Sequence, residues 1–486
     1  MPLNLASPGI VVREVDLTVG RVDTASDKVG AIVGPFAKGA VDLPILVETE
    51  QDLLDNFGKP YSADKHYEYW MVASSYLAYG GPLRVVRADD DDLKNAFSGT
   101  AGSIKIKSTE HYNDLGYDGS TITGVTVAAR NPGSWANNLK VAIIDDLADQ
   151  VLTFGSLPSN IQVGSGITQT IPPNTVVAGS GTTSLLTGYF KGIVTEVDTT
   201  NKKVSVKILE SVDTSGSAAG VSTEVSYQPN GIYKFGNTAI TVHNNSGIIT
   251  GTGSPSGNAD WFDQQSIQLT NTTINWNNIA DRPGTSSFAD ARNSRFDEVH
   301  VVVIDDTGEV TGNAGTILEK HLALSKAKDG LYSLGSPSYW RKYVYNNSEN
   351  IFAGGAPAGI VTTSLGIGTA NFALSGDTGW DQNAQGIRFA GIGVTTLSLT
   401  GGKNYDGGTD ETAAGAFQVT LAGLAGGYQL FEDDNLNSAD FILMGSANHQ
   451  KEVCQSLANK IISVAEIRKD AVAFVSPNRG SFLSDG

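Results

Sequence analysis

The chain has little cysteine and little charge. Among its 486 residues there is one cysteine, and charged residues make up 17%, against about 25% in an average protein. A single cysteine cannot form an internal disulfide bond, and a cysteine-based metal site would need other ligands. The composition therefore favours a reducing compartment, or a protein that is indifferent to redox state.

Positive charge and long apolar runs are also scarce. The formal net charge is −18, with a pI near 4.7. Nucleic acids and anionic membrane surfaces both attract a basic face, so this balance argues against them as partners. The sequence contains no run of about 18 apolar residues, the length that a membrane-spanning helix needs. Residues 1–5 lack the basic and apolar regions of a signal peptide. We therefore expect no nucleic-acid partner and no membrane insertion.

No catalytic signature is recognisable. The sequence has no Gly-x-Ser-x-Gly elbow, no Gly-x-x-x-x-Gly-Lys-Ser/Thr phosphate loop and no His-Glu-x-x-His motif. The loops at Gly34-Pro35 and Gly445-Ser446 follow predicted strands but lack the full glycine pattern of a nucleotide site. His300 and His321 show no metal-ligand spacing, and we interpret them as structural. We predict that the chain is not an enzyme and holds no cofactor and no metal, with an α/β enzyme as a minor alternative.

Glycine is abundant, with 56 residues, and Ser, Thr and Asn are frequent in the middle of the chain. This mixture is typical of short strands joined by turns. Regular turns between β-type runs over 148–290 predict a barrel or sandwich, which interrupts an α/β pattern. The predicted fold is therefore an α/β core assembled from both ends of the chain, with an inserted β-rich domain.

Two segments carry the α/β pattern. In the first, apolar residues recur at spacings of three and four over 67–81, which predicts a helix between strands 29–35 and 83–88. In the second, strands 440–445 and 470–477 flank a helix, which predicts a βαβ unit with parallel strands. The apolar stripe of that helix comprises Val453, Leu457, Ile461 and Val464.

The first of these helices carries an aromatic cluster. It could form a binding surface, but core packing of an amphipathic helix is the favoured interpretation. The cluster consists of Tyr67, Tyr69, Trp70, Tyr76 and Tyr79.

The length suggests about three domains, and shifts in composition along the chain, together with the extended start, predict four regions. They are an extended arm (1–28), a discontinuous α/β core domain (29–90 and 390–486), a middle α+β domain (91–147 and 291–389) and an inserted β-rich outer domain (148–290). In the middle domain, the runs 296–304 and 307–310 predict a hairpin around Asp305-Asp306-Thr307-Gly308.

The arm contains an extended run without a local partner. Residues 3–19 could reach roughly 55 Å at about 3.3 Å per residue. The run either adds to its own sheet or frays, or it pairs with an edge on a neighbouring subunit. The candidate inter-subunit residues are Ile10, Val11, Val12, Arg13, Glu14 and Val15.

Several short motifs occur in a characteristic order. They are Ser7-Pro8-Gly9, Asp52-Leu53-Leu54-Asp55-Asn56-Phe57-Gly58-Lys59-Pro60, Tyr79-Gly80-Gly81-Pro82-Leu83-Arg84-Val85-Val86-Arg87, Asn131-Pro132-Gly133 and Ser476-Pro477. By these motifs, residues 1–147 and 291–486 resemble the contractile tail sheath proteins of long-tailed bacteriophages and related contractile injection machines. The resemblance favours donation of the arm to a neighbouring subunit.

The resemblance implies a mechanical role. Such a subunit would polymerise as stacked hexameric rings around the tail tube and contract, without consuming ATP, to drive the tube through the host envelope. Its expected partners are further copies of itself, the tail tube protein, and the baseplate and tail terminator proteins. It would be assembled in the host cytoplasm and become part of the virion.

The resemblance also implies a C-terminal domain that contacts the tube and accepts the arms of neighbours. The sequence stops at Gly486, soon after Ser476-Pro477, so we expect this chain to lack that domain. The alternative class is a non-contractile interaction protein, either a virion decoration protein or an adhesin-like protein, which the Ser/Thr-rich insertion would suit.

Overall fold

The computed structural model describes residues 28–170, 175–176, 185–186, 188–213, 235–244, 247–361, 364–367, 370–373, 379–433, 437–447, 449–478 and 480. The helices in these residues are α1 (Glu50–Phe57), α2 (His66–Ala78), α3 (Thr109–Asp114), α4 (Ser287–Asp290), α5 (Trp340–Asn347), α6 (Leu421–Gln429) and α7 (Lys451–Arg468). The strands are β1 (Gly30–Gly34), β2 (Ile45–Val47), β3 (Leu83–Arg87), β4 (Phe97–Gly99), β5 (Val125–Ala129), β6 (Leu139–Asp145), β7 (Gln150–Phe154), β8 (Gly166–Thr170), β9 (Thr175–Val176), β10 (Leu185–Leu186), β11 (Gly188–Asp198), β12 (Lys203–Asp213), β13 (Ile240–His243), β14 (Ile249–Gly253), β15 (Pro255–Asp260), β16 (Ser266–Gln268), β17 (Thr273–Asn275), β18 (Glu298–Asp305), β19 (Thr316–Ser325), β20 (Ile351–Ala353), β21 (Ser364–Ile367), β22 (Ala370–Ala373), β23 (Val394–Ser398), β24 (Phe441–Leu443) and β25 (Val472–Phe474).

The described residues form two compact units. Unit 1 comprises 28–36, Val41–Asp90 and the described residues of 418–480, and unit 2 comprises Ala37–Ala40 and the described residues of 91–417. Helices and several sheets occur together, which confirms the predicted mixture of α/β and β-rich structure. The four domain boundaries drawn from the sequence stay a prediction.

Unit 1 is built on a five-stranded sheet in the order β2-β3-β1-β24-β25. Strands β3, β1, β24 and β25 run parallel, and β2 is antiparallel to β3. The predicted βαβ unit is therefore confirmed as β24, α7 and β25. The buried stripe of α7 consists of Cys454, Leu457, Ile461, Val464 and Arg468.

The two faces of this sheet are covered by different helices. On one face, Ile32, Leu83 and Val85 pack in a single buried cluster with residues of α1 and α2. On the other face, α6 approaches so closely that a Cβ on Gly427 would lie 2.4 Å from Cγ1 of Val33. Only glycine allows this approach, which explains why a poor helix former stands inside α6.

The Asp-Leu-Leu-Asp-Asn-Phe-Gly motif forms α1 and its ends. Thr49 caps the helix, with Oγ1 accepting from the amide of Asp52 at 3.1 Å while the Asp52 carboxylate accepts from the amide of Thr49 at 3.1 Å. This reciprocal capping box satisfies two amides that the first helical turn leaves open. Gly58 ends the helix at a φ of 81°, and Leu53 and Phe57 face the core. The motif is therefore a capped helix whose apolar side is buried.

Unit 2 contains a four-stranded sheet, β19-β18-β6-β23, and a three-stranded sheet, β20-β5-β4. The first strand of the predicted hairpin, 296–304, matches β18 approximately, but the second, 307–310, is wrong because the partner of β18 is β19. The cause is Asp305, whose carboxylate accepts from the amides of Gly308, Val310 and Thr311. These bonds fold 307–310 into a loop and delay the return strand.

A seven-stranded antiparallel sheet lies in the segment predicted to be β-rich. Its order is β14-β13-β8-β11-β12-β7-β15. The two edge strands, β14 and β15, follow each other in the chain with only Ser254 between them, so the sheet must curl until its edges lie side by side. One apolar cluster occupies this sheet, made of Leu152, Phe154, Ile167, Val194, Val204, Val206, Ile208, Phe235, Ile240 and Val242.

Candidate assembly interface

The predicted inter-subunit residues Ile10, Val11, Val12, Arg13, Glu14 and Val15 lie outside the described residues, so their role stays a prediction. The structure does describe where the chain enters unit 1. The hydroxyl of Tyr76 donates to the carbonyl of Lys28 at 2.5 Å, and the amide of Val29 donates to the Asp440 carboxylate at 2.8 Å. The amide of Asp440 in turn donates to the carbonyl of Val29 at 2.8 Å. The base of the arm is thus fixed to the sheet from two sides.

The crevice where ligands bind in many α/β sheets is filled by protein. That crevice lies at the carboxyl ends of the strands where the order of connections reverses, here β1 and β24. A Cβ on Gly34 or on Gly445 would lie 2.8 Å or 2.1 Å from Cδ1 of Tyr69. The Tyr69 hydroxyl lies 2.5 Å from Nε2 of His449, whose pKa is lowered by burial. The two strand-end glycines therefore make room for an aromatic side chain of the same unit.

The sheet face that carries α1 and α2 is covered only in part. Because β1, β24 and β25 pair in register from Gly30 through Phe441 to Val472, the alternate residues of these strands share the face on which α2 lies. On β24 and β25, these residues are Phe441, Leu443, Val472 and Phe474. Val472 and Phe474 remain 55% and 52% exposed. The edge strand β25 thus presents apolar side chains beyond the reach of α2.

An apolar groove runs between α2 and this uncovered part of the sheet. Its volume is about 370 Å³. Tyr79 at one end is 93% exposed and Met71 is 52% exposed, although both are large apolar side chains. Exposed apolar surface of this kind, when contiguous, typically marks a contact site. The groove is lined by Met71, Val72, Ser75, Tyr76, Tyr79 and Leu443.

The edge of the sheet next to this groove is also open. Within the described part of the chain, β25 pairs with β24 alone. Phe474 packs edge-on against Phe441 at 5.7 Å between ring centroids, and Phe441 lies 6.5 Å from the ring of Tyr76. These rings join the edge strand to the groove in one apolar surface. An apolar edge strand is a template for pairing with another chain.

This surface partly corrects the interpretation of the aromatic cluster as core packing. Tyr69 and Trp70 are buried, as expected, but Tyr79 is not, and Tyr67 is 41% exposed. Helical periodicity alone could not distinguish the buried aromatic residues from the exposed ones. The reason is that α2 packs one face on β1 and β3, while a second face lies beside β24 and β25. The one sequence signal for the exposure of Tyr79 was its position next to Gly80, where the helix ends.

Two buried lysines of unit 2 are paired with buried carboxylates. Lys326 Nζ lies 2.7 Å from the Asp145 carboxylate, and both side chains are fully buried. Asp149 lies 3.4 Å from Lys207, and burial raises its pKa to about 6 despite the attraction of that ammonium. Among the described residues no group of His, Cys, Asp and Glu could hold a metal ion. These four buried charges of unit 2 therefore form internal ion pairs.

None of the helices in the described residues is long and apolar enough to cross a membrane. The features that stand out are instead an open apolar groove, an open sheet edge and the fixed base of an arm. Together they define a protein whose exposed surfaces suit assembly with other chains.

Known proteins point in the same direction. The chain is 35% identical over 102 residues to the tail sheath protein of Enterobacteria phage T4, a match that covers 21% of this chain and 15% of that protein. It is 32% identical over 118 residues to the tail sheath protein of Salmonella phage ViI, covering 24% of this chain and 18% of that protein. No family model matches the chain.

Two solved sheath tail proteins are distant neighbours. The one from Listeria innocua has a TM-score of 0.16 at 10% identity and covers 49% of this chain and 35% of its own. The one from Desulfitobacterium hafniense has a TM-score of 0.17 at 9% identity and covers 52% of this chain and 39% of its own. Scores this low carry no argument about the fold.

The resemblance to phage tail sheath proteins that the motifs predicted is confirmed by these relatives. The matched segments span less than a fifth of the length of either phage protein. What the whole sheath proteins do is therefore carried over to this chain only as a proposal.

Proposed function

We propose that this chain is a structural subunit of a contractile phage tail sheath. It polymerises as stacked hexameric rings around the tail tube, and the stack contracts to drive the tube through the host envelope. The observation that carries the proposal is the 35% identity over 102 residues with the T4 tail sheath protein. In this role the chain is no enzyme, its partners are further copies, the tube, the baseplate and the tail terminator, and it is assembled in the host cytoplasm.

The proposed mechanism is mechanical. The α/β core assembled from both ends of the chain (29–90 and 390–486) moves as a rigid body, and the 148–290 domain faces outward. The arm residues Ile10–Val15 stay paired with a neighbouring subunit during the movement. Backbone hydrogen bonds suit such a link, because each contributes about 0.5–1.5 kcal/mol and tolerates reorientation, while the alternate apolar side chains add contacts in pockets.

Negative-stain microscopy of the purified full-length protein tests the proposal. We expect hollow, striated cylinders, and we expect deletion of residues 1–20 to leave folded monomer that does not polymerise. Substituting serine for Ile10, Val11 and Val12 should act like the deletion. Alanine at Asn4 and Ser7, in the same arm, is the matched control and should leave the cylinders intact.

Normal cylinders from the deletion variant would refute the role of the arm. A full chain that stays monomeric at every concentration would refute the sheath proposal and favour a decoration or adhesin-like protein.

A further inference from the structure

In unit 2, the chain passes from the four-stranded sheet to the seven-stranded sheet and back again. The incoming connection, 146–149, joins β6 to β7, and the chain leaves the seven-stranded sheet after Asp260, the last residue of β15. The two connections touch, because the amide of Trp261 donates to the carbonyl of Asp149 at 3.0 Å. The amide of Asp149 donates to the carbonyl of Val206 on β12 at 2.8 Å. Both crossings between the sheets therefore lie at one place.

Two cations hold the connections at this place. Lys207 on β12 lies with Nζ 2.6 Å from Oδ2 of Asp146 and also donates to the carbonyl of that residue at 3.3 Å. Arg282 is bonded to the carboxylate of Asp260 and donates to the carbonyl of Ala148 at 3.0 Å. Each cation thus has a close carboxylate partner, and Arg282 joins the incoming connection to the outgoing one.

A third carboxylate, that of Asp149, lies between these pairs. Its Oδ1 is 3.4 Å from Lys207 and 3.8 Å from Arg282, and its Oδ2 accepts from the amide of Ile208 at 2.6 Å. Asp146, Asp149 and Lys207 are buried, so water screens these charges poorly. We call the five side chains the junction cluster; its members are Asp146, Asp149, Lys207, Asp260 and Arg282. With three carboxylates and two cations, the cluster carries a surplus negative charge, which favours the binding of a proton.

The charged groups on neighbouring elements do not remove this surplus. Burial raises the pKa of Glu298 on β18, and the Asp297 and Asp146 carboxylates add to the effect, so β18 contributes further negative charge. His300 donates from Nε2 to the carbonyl of Asp281 at 2.9 Å, and burial lowers its pKa. The histidine is therefore neutral near pH 7 and offers no compensating charge.

The cluster also contains an unused acceptor. Within the part of the chain that the structure describes, Oδ1 of Asp146 is buried and accepts no hydrogen bond. A protonated carboxyl brings a hydroxyl donor that a carboxylate lacks. Burial raises the pKa of Asp149 to about 6, against the attraction of Lys207 and with the Asp146 carboxylate adding to the effect. Geometry and charge thus both indicate Asp149 as the group that binds the proton.

We propose that the junction cluster is a proton-dependent latch between the two sheets, in which Asp149 takes up a proton on mild acidification and the two connections then hold together more firmly. In an opened junction, the Asp149 carboxyl regains its ordinary pKa of 3.8, below the value of about 6 in the closed form. The closed form therefore binds the proton more tightly. The added stability is fully present below pH 3.8 and is lost as the pH rises through 6. The inference does not depend on the sheath role.

Hydrogen exchange of the full chain between pH 7.5 and 5 tests the latch. Asp149→Asn keeps an acceptor for the amide of Ile208 and cannot titrate. In peptides that contain the amides of Ile208 and Trp261, the exchange rate of the wild-type chain divided by that of Asp149→Asn should fall about tenfold on acidification. This ratio cancels the intrinsic rates and the titration of His300. Asp263→Asn, which alters an exposed carboxylate beside the cluster, is the matched control and should give a constant ratio.

Peptides from β4 and β5, in the three-stranded sheet of the same unit, show whether the opening is local. Their ratio should not change with pH. A constant ratio in the peptides with Ile208 and Trp261 would overturn the latch. The same tenfold fall in β4 and β5 would also overturn it, because the proton would then act on unit 2 as a whole.

A second variant tests the latch without substitution of Asp149. The Arg282 guanidinium lowers the pKa of this carboxyl, so Arg282→Gln should move the midpoint of the pH profile above that of the wild-type chain. The profile is the exchange rate of the peptides with Ile208 and Trp261 relative to β4 and β5 of the same chain. Arg292→Gln, which removes a cation that stacks on Phe288 instead, should leave the midpoint unchanged. An unchanged midpoint in Arg282→Gln would overturn the assignment to Asp149.

Discussion

The hydroxyl of Tyr76 donates a hydrogen bond of 2.5 Å to the backbone carbonyl of Lys28. Burial, with the Asp440 carboxylate acting in the same direction, raises the pKa of Tyr76, so the hydroxyl keeps its proton at neutral pH and remains a donor. The residue that ties down the base of the arm is thus also a wall of the groove. In unit 1, the start of the arm and the apolar groove therefore share one side chain.

Tyr76→Phe should loosen the base of the arm without unfolding unit 1. One neutral hydrogen bond contributes about 0.5–1.5 kcal/mol, so the local opening equilibrium should rise by about 2- to 13-fold. We expect trypsin to cleave after Lys28 faster by a similar factor, while the thermal midpoint moves little. Tyr79→Phe is the control, since that ring is almost fully exposed. Equal cleavage rates in both variants would contradict a role for the Tyr76 hydroxyl.

His66 should make unit 1 sensitive to acid. It is fully buried, and burial, with the Arg87 guanidinium adding to it, lowers its pKa to about 3. The unfolded chain binds a proton near pH 6.5, whereas the folded chain does so only near pH 3. The stability contributed by neutral His66 is therefore present above pH 6.5 and falls between pH 6.5 and 3 by up to about 1.4 kcal/mol per pH unit.

His66→Asn removes this titration and keeps an acceptor for the amide of Tyr61, which donates to Nδ1 of His66 at 3.0 Å. Hydrogen exchange of peptides from β1 and α2 between pH 7 and 4, corrected for intrinsic rates, should show a flatter loss of protection in the variant. His300→Asn in unit 2, where burial also lowers the histidine pKa, serves as control and should leave these peptides unchanged. The same loss of protection in the wild-type chain and in His66→Asn would exclude His66 as the cause.

Some features of the fold could be predicted from local pattern and others could not. The stripe from Leu457 to Val464 predicted α7 because buried helix positions repeat every three or four residues. The loop after Asp305 was missed because one buried carboxylate overrides the β tendency of 307–310. That carboxylate accepts hydrogen bonds from three backbone amides. The groove was missed because its exposure depends on β24 and β25, which are separated from α2 by more than 360 residues.

The buried pair of Lys326 and Asp145 should behave as a unit. Lys326 Nζ also donates to the carbonyl of Phe296 at 3.0 Å, and Asp145 accepts from the amide of Gly393 at 2.8 Å. Lys326→Met leaves an uncompensated buried carboxylate, and we expect a loss of about 3–5 kcal/mol in the free energy of unfolding of unit 2. Adding Asp145→Asn should recover part of that loss. Urea unfolding of both single variants and the double variant measures the coupling, and strictly additive losses would show that the charges do not compensate each other.

The surplus of carboxylates should make the proposed sheath sensitive to salt. Each chain carries a net charge of −18, so neighbouring copies repel, and salt screens this repulsion over a Debye length that falls from about 30 Å at 0.01 M to about 8 Å at 0.15 M. We expect the yield of sedimenting cylinders to rise with sodium chloride over this range and the threshold for contraction to shift with it. Potassium chloride at equal ionic strength should give the same curve, and sucrose at equal osmolality should have no effect. If neither the yield of cylinders nor the contraction threshold changes with ionic strength, the acidic side chains lie away from the contacts between subunits.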